Sequence, residues 1–276
     1  MQSINYKCWT DMRPNETDYK IYQVDTFTDT LFKGNPACVV PLKEWLPDEL
    51  LLKIAKENAV AETAYFIEHE NHFHLRWFTP DIEMDLCGHA TLAAAHIIKS
   101  ELNSGNDIKF KSLSGNLIVN YKEDLYNLNL PSRKPVSAKL PLEIKSALNI
   151  QPQYIFKSRD YLLVYNKEQD IKALKIDRSS FDKINLGYGG VIATAKGDDV
   201  DFVSRFFTPQ ATILEDPVTG SAHCSLIPYW ASILSKNKLI AHQYSERGGT
   251  LYCEDKQDRI ILGGKAITYS KGLFRI

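Results

Sequence analysis

Arg76-Trp77-Phe78-Thr79-Pro80 recurs as Arg205-Phe206-Phe207-Thr208-Pro209, 129 residues further along the chain. Each copy ends a hairpin-like pattern. In the first, Ala64-Tyr65-Phe66-Ile67 and a polar turn around Glu70-Asn71 lead into Phe73-His74-Leu75-Arg76-Trp77-Phe78. In the second, Val191-Ile192-Ala193-Thr194 and the turn Lys196-Gly197-Asp198-Asp199 lead into Phe202-Val203-Ser204-Arg205-Phe206-Phe207. β-rich runs separated by turn residues read as hairpins. Beyond Thr-Pro, each copy enters a polar loop and then Cys87-Gly88-His89-Ala90-Thr91 or Asp216-Pro217-Val218-Thr219-Gly220-Ser221-Ala222-His223, with Cys87 and Asp216 again 129 apart. Apolar helix-like runs follow, Leu92 to Lys99 and Ala222 to Leu234; Pro228 in the second predicts a kink or a place in the first turns. Gly115-Asn116-Leu117-Ile118-Val119 and Gly249-Thr250-Leu251-Tyr252-Cys253 extend the match at an offset of 134. Successive matches in one order indicate a duplicated supersecondary plan.

Duplication predicts two similarly built domains related by a pseudo-twofold. Strand-rich runs with few helices predict an α+β class, not alternating βαβ units. Residues 1–18 read as an N-terminal extension, 19–130 as the first domain and 131–269 as the second. The join is placed near Pro131-Ser132-Arg133-Lys134-Pro135, where prolines interrupt a ladder. Pro47-Asp48 opens an amphipathic helix carrying Leu50, Leu51, Ile54 and Ala55, and Pro141 to Leu148 reads as a short helix early in the second half.

Composition excludes several function classes. A hydrophobic content of 44% with 24% charged residues is that of a globular chain, not a disordered one. Thirty-three basic residues against 34 acidic ones leave no electrostatic footprint for nucleic acid. No apolar run approaches membrane-spanning length, and Met1 to Asp18 lacks the apolar segment of a secretory signal. Cys8, Cys38, Cys87, Cys224 and Cys253 form no CxxC pair and read as free thiols of a cytoplasmic protein. His72 and His74 have no carboxylate or cysteine at ligand spacing, so no metal site is expected. There is no P-loop and no GxGxxG after a strand, so no nucleotide cofactor is indicated, and there is no Gly-x-Ser-x-Gly elbow.

The two helix starts carry the chemical reading. A helix N-terminus presents unpaired N–H groups and the positive end of a dipole, a site for an anion. Gly88 and Gly220 would let a small carboxylate approach both backbones if the two ends face one cleft. Glu62 has no acidic counterpart, since Val191 stands 129 residues on, so the scaffold itself needs no acid there. Ala59, Val60, Ala61 and Ala64 surround it, and desolvation would raise its pKa toward neutrality, as a general acid/base requires. Cys87 at a helix start is expected to have a lowered pKa and to be able to act as a base. His89 and Ser221 are candidate donors to a substrate oxygen, with His89 kept neutral by the dipole. Asn35 reads most simply as a turn residue and is carried as a candidate substrate contact.

The runs Asp25-Thr26-Phe27-Thr28, Gly34-Asn35-Pro36-Ala37, Ala61-Glu62-Thr63, Arg76 to Pro80, Cys87 to Thr91, Glu215 to Ala222, Arg247-Gly248-Gly249 and Gly263-Gly264-Lys265-Ala266 occur in this order. Together they resemble the phenazine-biosynthesis PhzF-like family, over about Tyr19 to Ile276. The resemblance implies the diaminopimelate epimerase fold: two domains, each a β-barrel-like sheet around a central helix, with the active site between them. It also implies that the last strand, near 270–276, returns to the first domain. It implies a cofactor-free isomerase and a homodimer. The family's acid/base glutamate matches Glu62, and its substrate-site histidine, aspartate and serine match His89, Asp216 and Ser221.

The expected activity is therefore cofactor-independent isomerisation of a small carboxylate-bearing metabolite, with Glu62 moving the proton and Asp216 orienting a polar group. Amides at Gly88, His89, Gly220 and Ser221 would hold the negative charge. An amino-acid racemase or epimerase using Cys87 is one alternative. A non-catalytic family member that binds a metabolite or a protein is another.

Overall fold

The computed structural model describes residues 17–276; Cys8 and Trp9 lie outside the described residues. The first half contains β1 (Asp18–Thr26), β2 (Asn35–Leu42), α1 (Asp48–Asn58), β3 (Glu62–Glu68), β4 (Phe73–Phe78), β5 (Glu83–Met84), α2 (Gly88–Glu101), β6 (Asp107–Ser112), β7 (Gly115–Lys122) and β8 (Leu125–Pro131). Then come β9 (Val136–Ser137), α3 (Leu142–Ala147), β10 (Tyr154–Lys157), β11 (Tyr161–Val164), α4 (Glu168–Ala173), α5 (Arg178–Phe181), β12 (Val191–Lys196) and β13 (Phe202–Phe207). The chain finishes with β14 (Glu215–Asp216), α6 (His223–Leu234), β15 (Lys238–Gln243), β16 (Gly249–Lys256), β17 (Arg259–Gly264) and β18 (Ala266–Arg275). Asp18 already belongs to β1, and Thr17 exchanges backbone hydrogen bonds with Ile276, so the fold begins before the expected end of the extension at residue 18.

Both halves follow one pairing plan. In the first, β1–β2 is antiparallel, β2–β3 parallel, β3–β4 antiparallel, β4–β6 parallel, and β6–β7–β8 antiparallel. In the second, β10–β11, β11–β12, β12–β13, β13–β15 and β15–β16–β17 repeat that series. The halves are joined through β8 and β17, which pair antiparallel from Pro131–Arg259 to Tyr126–Gly264. Each half also passes its chain to the other: the segment after β8 continues into β9, which pairs with β10, and the segment after β17 continues into β18, which pairs along β1.

The helix α2 is buried on nearly all sides, as suits a run whose apolar residues are not confined to one stripe. It packs against β1, β2, β3, β6, β8 and β18, and α6 packs against β15, β16 and β17. One hydrophobic core runs through both halves, from Trp77 and Leu92 to Phe202 and Trp230. Outside it, Leu51, Ile54 and Ala55 of α1 cover Val40 and Tyr65. Ile144, Ile171 and Phe181 of α3, α4 and α5 cover the sheet of the second half.

Both central helices begin differently from their apolar runs. Helix α2 starts at Gly88, ahead of Leu92, because a first turn needs free N–H groups and not apolar side chains. The second begins with tight i to i+3 turns from Gly220, where the N–H of His223 donates to the Gly220 carbonyl. Pro228 lies inside α6; the Cys224 carbonyl, which the missing N–H would have capped, accepts instead from the Arg133 N–H at 2.8 Å.

The repeated arginine has a scaffold role. Arg76 forks onto Glu83, its Nε and Nη2 donating to the two carboxylate oxygens at 2.7 Å each. Arg205 does the same to Glu215 at 2.6 and 2.8 Å. Bidentate pairs of this kind fix orientation as well as distance. They also fix the equivalence of the halves and correct two sequence assignments. Glu83 and Met84 pair with Phe78 and Trp77 as Glu215 and Asp216 pair with Phe207 and Phe206, so Asp216 corresponds to Met84 and not to Cys87. The loop after Thr208-Pro209 is longer than the one after Thr79-Pro80, which shifts the offset. Likewise Thr63 faces Phe78 where Val191 faces Phe207, so the position matching Glu62 is Gly190, not Val191.

Candidate active site

The two helix starts meet. A Cβ added to Gly88 would lie 3.0 Å from the Gly220 Cα, and one added to Gly220 would lie 3.0 Å from the Gly88 Cα. Only glycine at both positions permits this approach without displacement of backbone. A cavity of about 500 Å³ opens beside the junction, walled by both halves and lined by Glu62, Cys87, Gly88, His89, Asp216, Gly220 and Ser221. The N–H groups of Gly88, His89, Gly220 and Ser221 take no hydrogen-bond acceptor among the described residues. Free N–H groups at two helix mouths therefore border one space, the arrangement an anion needs.

Glu62 is the first residue of β3, and its side chain is only 14% exposed. Its sequence neighbours are not what buries it, since Ala59 is exposed and Val60 half-buried. His89 of α2 stands 3.2 Å from the Glu62 carboxyl, and Asp216 of the opposite half acts on it through charge. Desolvation first, and the charge of Asp216 second, push the Glu62 carboxyl up to about 8, while a hydrogen bond from the Cys87 thiol opposes the rise. A carboxyl so placed can both accept and release a proton near neutrality.

Cys87 N-caps α2 with its backbone, and its thiol sits 3.5 Å from His89 Nδ1. The lowered pKa expected of a thiol at a helix start is not found. Burial, reinforced by the nearby carboxylates, pushes the Cys87 thiol well above its ordinary value, and this outweighs the helix end. Cys87 is thus a protonated donor. His89 is buried, and desolvation lowers it to about 3, so the ring is neutral at physiological pH. Its Nε2 lies 3.2 Å from Glu62 Oε2 but is out of line for a hydrogen bond, and this atom has no partner. Ligand atoms of Glu62, Cys87 and His89 all lie within 4.8 Å of one another, a set able to hold a metal ion that no spacing rule could reveal. Any ion there would occupy the proton-bearing groups themselves.

Asp216 arrives from the second half. Its Oδ1 accepts from Asn35 Nδ2 at 2.7 Å and its Oδ2 from the Thr219 hydroxyl at 2.6 Å. Burial raises the Asp216 carboxyl and these two donors hold it down. Asn35 is neither a turn residue nor part of the cavity lining: it is the buried first residue of β2, and it also donates to the Val218 carbonyl at 2.9 Å. Its amide ties the first half to the loop of the second. Ser221 lines the cavity with a hydroxyl that has no partner among the described residues. Gln243 completes the loop, accepting from the Thr219 N–H at 2.8 Å and donating to the Asp216 carbonyl at 2.9 Å.

Three contributors escaped sequence reasoning. Thr219 lies inside a motif already singled out, and the Thr-Gly pair before a helix was the available signal. Gln243 and Arg159 carry no local signature; only the folded chain brings them to the loop and the cavity wall.

Comparison with known proteins identifies the family of the chain. Residues 24–272 match the profile of the family described as phenazine biosynthesis-like protein. An uncharacterized isomerase of Pseudomonas aeruginosa is 42% identical over 257 residues, covering 93% of this chain and 98% of that protein. The crystal structure of a phenazine biosynthesis PhzF family protein from Enterococcus faecalis superposes with a TM-score of 0.88 at 43% identity, covering 94% of this chain and 99% of the other. A hydroxyproline epimerase from Agrobacterium vitis shares the fold, with a TM-score of 0.66 at 8% identity and coverage of 96% and 94%.

Proposed function

The chain belongs to the phenazine biosynthesis-like family, and on that premise we propose that it is a cofactor-independent isomerase in which Glu62 relocates a proton on a small carboxylate-bearing metabolite. The observation that carries this reading is the buried Glu62 carboxyl, raised toward neutrality and facing an orphaned His89 Nε2 across the mouths of two helices.

In the proposed reaction the Glu62 carboxylate takes a proton from a carbon next to the activating group, and the C–H electron pair becomes part of a new double bond. The existing double bond supplies the pair that accepts a proton from Glu62 at the far carbon, and the Glu62 carboxyl, which borders the open cavity, exchanges its proton with solvent between the two transfers. No electrons leave the substrate, so no redox partner is needed. Free N–H groups at Gly88, His89, Gly220 and Ser221 stabilise the carboxylate and the enolate charge that develops. In the tautomer that carries its proton on Nε2, neutral His89 donates to a substrate oxygen; the Cys87 thiol then gives its one proton to His89 Nδ1 and no longer to Glu62. Asp216 acts chiefly through charge, because both its oxygens are already engaged by Asn35 and Thr219. The neighbouring negative charge favours the protonated form of Glu62 and makes proton return easier.

The high thiol pKa weighs against Cys87 as one of two racemase bases. A homodimer is carried as part of the same proposal, supported by the family resemblance. A cytoplasmic location is supported by the four buried free cysteines, Cys38, Cys87, Cys224 and Cys253.

The test is a small-metabolite extract incubated with the protein in D₂O and read by mass spectrometry. One isomer pair should gain carbon-bound deuterium with wild type and not with Glu62→Gln. Equal labelling by the variant would overturn the reading.

A further inference from the structure

Under the pseudo-twofold, the position of Glu62 is taken in the second half by Gly190, and the wall there is built differently. A side chain at Gly190 has no room, since its Cβ would fall 2.3 Å from Cζ of Phe206. Beside it stands Arg159, whose backbone carbonyl would lie 2.8 Å from a Cβ on Gly189. The Gly190 N–H donates to Asp160 Oδ1 at 2.8 Å, which pins this corner. Arg159 is the one lysine or arginine lining the cavity among the described residues, and its side chain is 17% exposed.

The Arg159 guanidinium makes one hydrogen bond, from Nε to the Tyr188 carbonyl at 3.1 Å, and a loose ion pair with buried Asp160, whose Oδ1 lies 3.9 Å from Nε. Among the described residues neither Nη1 nor Nη2 makes a hydrogen bond. The nearest counter-charge, Asp85 Oδ1 from the first half, stands 3.7 Å from Nη1, and both atoms are buried without partners. A guanidinium offers five N–H donors in a planar fork that matches a carboxylate. Leaving the two N–H groups of buried Nη1 unsatisfied is costly unless something else fills them. The cavity that holds both this corner and the helix mouths is also lined by the apolar side chains of Met84, Leu86, Leu186 and Phe206.

Building on the proton-relocating reading above, we propose that Arg159 is the specificity-determining residue of the cleft and that the substrate is a small dicarboxylate. One carboxylate sits at the helix mouths near Glu62. The second is received by the Arg159 fork on the opposite wall, and a short hydrocarbon segment lies against the apolar side chains. Asp85 competes with the ligand for the guanidinium and tunes its affinity.

Calorimetric titration of the full chain tests this without knowledge of the substrate. The probes are malonate, succinate, glutarate and adipate, each against the monocarboxylate of the same carbon number. Wild type should bind one dicarboxylate about tenfold or more tightly than its monocarboxylate partner, the preference depending on length. Arg159→Met should abolish the preference and leave monocarboxylate binding within about twofold, while Arg159→Lys should restore part of it. Asp85→Asn should strengthen dicarboxylate binding, a gain that a purely structural ion pair would not give. Thermal melts establish that each variant is folded; if Arg159→Met is not, Arg159→Lys and Asp85→Asn decide the matter. Absence of any dicarboxylate preference in wild type, or its persistence in Arg159→Met, overturns the proposal. Glu62→Gln should retain the preference, so failure of the proton-transfer reading and failure of this one give different results.

Discussion

Glu62 and Gly190 occupy the same place in two copies of one half-molecule, and they have opposite designs. The first copy carries a buried carboxyl at the mouth of α2, whereas the second carries no side chain and fills the space with the ring of Phe206. A second pair repeats the contrast: Met84 in one half is Asp216 in the other. What the halves keep in common is scaffold. The Arg76–Glu83 and Arg205–Glu215 forks are alike to about a tenth of an ångström and hold equivalent loops. Duplication thus preserved the scaffold that aims two helix ends at one space, and divergence placed a buried carboxyl, the proposed proton carrier Glu62, on one wall and the carboxyl of Asp216 on the other.

The sharpest break of this comparison is Glu62→Gln. Loss of the proposed proton carrier should lower turnover by about 10³-fold or more, measured as deuterium incorporation. The variant should fold, because it removes a buried ionisable group. The folded state binds the Glu62 proton more tightly than the unfolded chain, so this group's contribution to stability is full below the ordinary carboxylate range and is lost progressively as pH rises to about 8. The melting temperature of Glu62→Gln should lack that decline.

On the other side of the pseudo-twofold, Gly190→Ala forces Phe206 to move and should cost about 1–3 kcal/mol of stability. That is several degrees of melting temperature in a chain of this size. Melting at wild-type temperature would mean the two corners are less different than described. Asp216→Asn removes the charge that helps keep Glu62 protonated, so the rise of activity with pH should shift to lower pH, by about one unit. An unshifted profile would leave burial as the sole cause. Smallest of all, Cys87→Ser should change activity by only a few-fold, since the thiol is a protonated neighbour and not a base; an inactive serine variant would favour two-base racemisation instead.

Much of the architecture was legible in the chain. The hairpins β3–β4 and β12–β13 announce themselves by hydrophobic pattern and turn residues, and α1 by its Pro47-Asp48 start. The register between the copies was not legible. One extra residue in the turn 197–201 and three in the loop after Pro209 leave the flanking motifs intact, and only hydrogen-bonded pairing reveals the slip. Asn35 shows a second limit: its amide meets Asp216 across 181 residues of chain, so a local turn signal could not disclose its place. Cys87 shows a third, because a helix end and a buried setting push a thiol in opposite directions, and which prevails depends on residues distant in sequence.

The most direct measurement is a ¹³C NMR titration of side-chain carboxyls in protein labelled at glutamate Cδ, with Glu62→Gln assigning the resonance. Glu62 should titrate far above the ordinary carboxylate range, near 8, and move downward in Asp216→Asn. A midpoint close to that of a solvent-exposed glutamate, unchanged by the loss of Asp216, would contradict the claim that one half lends charge to a proton carrier buried in the other.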